Sequence, residues 1–162
     1  MDNNINLKHG DILAYKGQYL HSQIIKSLTH SQYSHLIIYV GDNLAVEADW
    51  SGIQYCNIDK YKNYLDIYSC DSLTEIQREQ ICNYAISKVG EKYDYLLLIF
   101  MFLRRIFKFR FRIKLRDSKA DVCSELVNDC YSEVNDMKLV KKRYPSPQEV
   151  ISSERLKFVG SY

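Results

Sequence analysis

At 162 residues, with 46% hydrophobic and 26% charged residues, the chain is large enough for its own core and is not composed like a disordered protein. Its five cysteines form no Cys-x-x-Cys pair, which argues against a zinc ribbon or a disulfide framework and for a reduced, cytoplasmic setting. The net charge of +2 hides an uneven distribution: "RRIFKFRFRIKLR" (104–116) holds seven of the 22 basic residues and no acid, so 15 basic residues face 20 acidic ones elsewhere.

In chain order, "GDILAY" (10–15) predicts a first strand entered from a Gly-Asp turn. "YLHSQIIKSL" (19–28) has the apolar spacing of a short helix. "HLIIYV" (35–40) is apolar on both faces and is expected to be buried on both. "GDN" then turns the chain into "LAVEAD" (44–49), followed by "GIQYC" (52–56) and "LDIYSC" (65–70), a meander-like run of strands. "SLTEIQREQICNYAISKVG" (72–90) predicts a helix with Ser72 and Glu75 as a capping box, Ile81, Ala85 and Val89 on one face with Cys82 and Ile86 beside them, and Gly90 as a left-handed stop. "YLLLIFMFL" (95–103) is the longest apolar run and is too short to span a bilayer. From Phe107 to Arg116 apolar and basic residues alternate, as in a strand or extended arm. A helix with Val122, Leu126, Val127, Cys130 and Tyr131 on its apolar side follows, with Cys123 near its start. "SPQEV" (146–150) has Ser as cap, Pro at the first helical position and Glu closing the box, and "LKFVGSY" closes the chain as a strand. Early strands with segregated helices read as an α+β fold, and residues 1–162 read as a single domain.

A cysteine in the first turn of a helix is favoured as a thiolate by free backbone N–H groups and the helix dipole, and the thiolate is the nucleophile. Such chemistry needs a base and a group that orients it. Of four histidines, His9, His21 and His30 lie in polar or turn-like contexts, whereas His35 heads the doubly apolar strand, as either a base or a core histidine bonded to a carbonyl. Glu47 interrupts "LAV-E-AD"; it is either an edge carboxylate in water or a buried one that needs a partner. If Val40 pairs with Leu44, Ile37 opposes Glu47, which then lies diagonal to His35, roughly 7–8 Å away between backbones and within side-chain reach. A shift of one residue would put them on opposite faces. Asp49 competes for the orienting role, although it borders the "DWSG" turn and is easily solvated there. Cys56, Cys70, Cys82 and Cys130 read as structural. A Cys/His/Glu zinc site lacks ligand spacing, so no metal and no cofactor is expected.

"ADVCSELV" resembles the nucleophile helix of the NlpC/P60 superfamily of cysteine peptidases. The order His35, Glu47, Cys123 is similar to the circularly permuted, papain-like branch of YiiX/YaeF-like amidases. "HGDILAY", "SHLIIYVGDN", "AVEADWSGI", "VGEKYDY" and "YPSPQEV" resemble further elements of that branch in the same order, so the likeness runs from about residue 9 to 150. The resemblance implies a permuted papain-like fold, with an antiparallel sheet or partial barrel packed against helices that include the nucleophile helix. It implies Cys123 as nucleophile, His35 as general base, Glu47 as the residue orienting His35, and Tyr93 near the oxyanion. The insert at about 96–116 matches no motif of the family.

The expected function is therefore cysteine hydrolysis of a peptide-type amide through an acyl-enzyme, with a peptide or acyl-amide substrate. The alternatives are a lipid-directed thiol acyltransferase or esterase, and a catalytically silent binding module. The basic stripe has three readings. It is a solvated cationic face of an amphipathic arm, or it meets an anionic membrane surface through Arg104, Arg105, Lys108, Arg110, Arg112 and Lys114. The third, nucleic acid, is not expected, because alternation places the Phe residues opposite the cations and bases cannot stack beside the phosphate contacts. With no basic-then-apolar leader at its start, the chain is expected in the cytoplasm, or peripheral to a membrane.

Overall fold

The computed structural model describes residues 6–17, 31–49, 51–92, 123–135, 137–142 and 145–162. The segment 19–28 and the stripe 104–116 lie outside them. Six strands, β1 (Ile12–Tyr15), β2 (His35–Gly41), β3 (Leu44–Asp49), β4 (Gly52–Asn57), β5 (Leu65–Ser69) and β6 (Lys157–Ser161), form one sheet in the order β4-β3-β2-β1-β5-β6. Every pairing is antiparallel. Helices α1 (Glu75–Ser87), α2 (Cys123–Ser132) and α3 (Pro147–Ile151) complete the described elements, with a 3₁₀ turn at Ile58–Tyr61. The fold is α+β, as the strand and helix patterns predict.

The meander holds for β2, β3 and β4 and ends there. β5 pairs with β1 on the other side of the sheet. The 3₁₀ turn carries the chain along one face to reach it, and this crossing buries both faces of β2. Leu36 and Ile38 join the core shared with the helices, while Ile37 joins a second core with Ile58 and Tyr61 of the turn. The 3₁₀ turn has no apolar period of its own, and the sequence reading assigns it no element.

The β2–β3 hairpin contains a small departure with a large consequence. Asp42 and Asn43 both have positive φ, as a two-residue type I′ turn requires. The closing pair is Gly41 with Leu44, not Val40 with Leu44, and the register shifts between Tyr39 and Gly41. That irregularity absorbs one residue, so Ile37 still faces Glu47. Without it the hairpin would place Glu47 on the wrong face.

Helix α1 starts later than its first capping frame suggests. "SLTEIQ" offers two frames, Ser72-x-x-Glu75 and Thr74-x-x-Gln77, and the second is used, with Thr74 and Gln77 closing a reciprocal box. Leu73 is buried at the core edge ahead of the helix, and the exposed Ser72 has its Oγ 3.3 Å from Cys70 Sγ. Ile86 is exposed rather than packed beside Ile81. Arg78 is buried instead: Nη1 donates to Asp11 Oδ1 at 3.2 Å and to the His9 carbonyl at 3.0 Å, and Nη2 donates to the Cys70 carbonyl at 2.8 Å. Asp11, the Asp of "GDILAY", is thus the counter-ion that ties α1 to the start of β1. Helix α3 begins as its sequence predicts, with Ser146 and Glu149 capping around Pro147.

Candidate active site

Cys123 is the first residue of α2, and that helix packs on β2 and β3. Leu126, Val127, Cys130 and Tyr131 anchor it in the helix-side core, and Tyr131 OH donates to the Gly10 carbonyl at 2.9 Å. The apolar stripe that makes this segment a helix also aims its first turn at the head of β2. There the His35 imidazole and the Leu36 backbone N–H come close enough to the Cys123 sulfur to act on its charge. Ser124 Oγ is 3.9 Å from Sγ.

His35 Nε2–H donates to Glu47 Oε2 at 3.2 Å, which leaves Nδ1 as the nitrogen for the thiol. Glu47 has no solvent exposure, and His35 is 16% exposed. The buried carboxylate is compensated on both oxygens. Lys60 Nζ donates to Oε1 at 3.1 Å and Tyr61 OH donates to Oε2 at 2.5 Å. Both come from the 3₁₀ turn, which the sequence reading leaves unassigned.

The electrostatics follow from these contacts. Burial opposes charge on every member, yet the partners outweigh it. Burial lowers the His35 pKa, but the negative charge and hydrogen bond of Cys123, with those of Glu47, raise it overall. Burial likewise raises the Cys123 pKa, and the His35 charge and hydrogen bond bring it below the ordinary thiol value. Glu47 is pulled down to about 2, against burial, by His35, Tyr61 and Lys60. These opposite shifts favour a thiolate at Cys123 and an imidazolium at His35, with a carboxylate behind them. The remaining cysteines are buried too, and burial pushes Cys56 up to about 12 and Cys82 to about 11.

Asp49 is not part of this group. Its Oδ1 accepts from the Ser51 N–H and hydroxyl, and its Oδ2 from Gln54 Nε2 at 2.7 Å, so it organises the β3–β4 turn. The carboxylate that meets His35 is that of Glu47. Tyr93 lies outside the described residues. His9 is exposed, as its polar context predicts, with its ring against Gly41.

Among the described residues no group of three or more His, Cys, Asp or Glu side chains is placed to hold a metal ion, and none of their helices is long and apolar enough to cross a membrane. No protein-family model matches the chain, and no curated protein matches it. Among solved structures it is similar to the metalloprotein yiiX from Escherichia coli O157:H7, a DUF1105 protein, with a TM-score of 0.68 and 19% identity over 96% of this chain and 97% of that one. The donor set described here does not fit a metal centre, because Glu47 already serves Lys60, Tyr61 and His35. The likeness to yiiX lies in the fold: a papain-like α+β arrangement built on a six-stranded antiparallel sheet.

Proposed function

We propose that the chain is a cysteine hydrolase of the permuted NlpC/P60 type that cleaves a peptide-type amide bond. The observation that carries this reading is the chain of contacts from Cys123 through His35 to Glu47, at the start of a helix and the head of a buried strand.

In the proposed reaction the Cys123 thiolate attacks the carbonyl carbon and forms a C–S bond. The backbone N–H of Cys123 is the proposed donor to the developing oxyanion. His35 gives its proton to the amine nitrogen as the C–N bond breaks, leaving a thioester acyl-enzyme and a free amine. A water then gives a proton to neutral His35 and attacks the thioester carbonyl. The C–S bond breaks and the acid is released. Glu47 keeps Nε2 of the imidazole engaged, so Nδ1 stays on the sulfur side throughout.

The reading is tested by alkylation with iodoacetamide across pH, read by peptide mass, on the unaltered protein and on His35→Ala. Rapid modification of Cys123 alone at about pH 6, lost in His35→Ala, is the expected result. A Cys123 that reacts no faster than Cys56 or Cys70 overturns it. Peptide and acyl-amide substrates are then screened with Cys123→Ala as the blank.

A further inference from the structure

Glu47 is held by more than His35. Its Oε1 accepts from Lys60 and its Oε2 from Tyr61 as well as from His35. Lys60 Nζ also lies 4.9 Å from the centroid of the Tyr61 ring, and its side chain is 54% exposed. The Tyr61 ring packs on Tyr15 at 4.8 Å, and Tyr15 is the register partner of His35 across β1 and β2. One short turn is therefore fixed both to the carboxylate and to the strand beside the histidine.

A carboxylate that faced only His35 would create a chemical difficulty. In the acyl-enzyme the thiolate charge is gone, and His35 must be neutral to take a proton from water. An unshared carboxylate holds that proton on the imidazole. A cation and a phenol that share its charge weaken this hold, and they also compensate a buried anion that would otherwise be costly.

We propose that Lys60 and Tyr61 are positioning residues for the hydrolase reaction: they fix Glu47 against His35 and draw off part of its charge so that His35 can release its proton. The inference rests on the Cys123–His35–Glu47 reading. The groups that bear on His35 are Glu47 from β3, Cys123 from α2 and the Tyr61 ring at 6.4 Å from the turn. Around Glu47 stand Lys60, Tyr61 and the Cys56 thiol of β4, with Asp49 acting on Tyr61 at longer range.

The experiment follows the His35 ring by NMR titration in a Cys123→Ala background, where no thiolate interferes. Lys60→Met and Tyr61→Phe are each expected to raise the His35 midpoint by about half a pH unit or more, because the carboxylate charge is then shared with fewer donors. Lys60→Arg keeps the cation and is expected to keep the parent midpoint. A midpoint that stays or falls in Lys60→Met overturns the proposal, and an unmoved midpoint in Tyr61→Phe removes Tyr61 from it. A merely structural role would lower the melting temperature and leave the midpoints alone. If Tyr61→Phe does not fold, the two Lys60 variants decide. Alkylation of Cys123 in the unaltered protein runs alongside. A slow Cys123 means that the hydrolase reading has failed, whereas a fast Cys123 with unmoved midpoints means that only this inference has.

Discussion

At the scale of single residues, the five cysteines differ in what stands beside them. All five are buried, so burial alone does not separate them. The separation comes from the cation beside Cys123, since His35 lowers its pKa while burial drives Cys56 and Cys82 the other way. Labelling selectivity should therefore be greatest at low pH and shrink as the ordinary thiols ionise. Glu47 makes a second prediction. Its folded pKa, about 2, lies below the ordinary value of 4.5, so its contribution to stability is present above the ordinary value and is lost as pH falls through the folded one. Glu47→Gln should thus cost on the order of 3 kcal/mol at pH 7. The gap to the unaltered protein should narrow as pH falls from 4.5 towards 2, as read by urea melts across pH.

At the scale of elements, the buried Asp11–Arg78 pair joins β1 to α1, and both side chains are almost wholly removed from water. Breaking one half strands the other. Arg78→Met should lower stability by about 3–5 kcal/mol, and adding Asp11→Asn should recover part of that loss, both measured by urea denaturation. A double variant as unstable as Arg78→Met would mean that packing by the arginine stem, not the stranded charge, dominates. The helix-capping frames show what local sequence can and cannot rank. Both frames in "SLTEIQ" are chemically sound, and the burial of Leu73 selects the later one.

At the scale of the whole molecule, the crossing from β4 to β5 places the 3₁₀ turn beneath β2 and so supplies the donors for Glu47. The cationic stripe belongs to this scale as well, since its partner depends on where it lies on the body, and it falls outside the described residues. Its membrane reading makes a direct prediction. Vesicles containing anionic lipid should retain the protein in a salt-sensitive way, and Arg110, Arg112 and Lys114 changed together to Glu should abolish retention. Retention that survives the three changes, or none from the start, leaves the solvated-arm reading.

The sequence by itself determined the strands, the α+β class, the Ser146 cap and the apolar side of the Cys123 helix, because each depends on spacing along a few neighbouring residues. It also named His35 and Glu47 as candidates, because a polar residue inside an apolar strand is conspicuous in one dimension, and Cys123, because a cysteine in the first turn of a helix is. Tertiary structure decided the rest. The hairpin bulge that keeps Glu47 facing His35 is a matter of pairing between strands. Arg78 as a buried residue depended on Asp11, 67 positions earlier in the chain. Lys60 and Tyr61 look like ordinary surface residues of a loop until the chain passes under the sheet. Contacts between residues far apart in sequence leave no local period, and only packing reveals them.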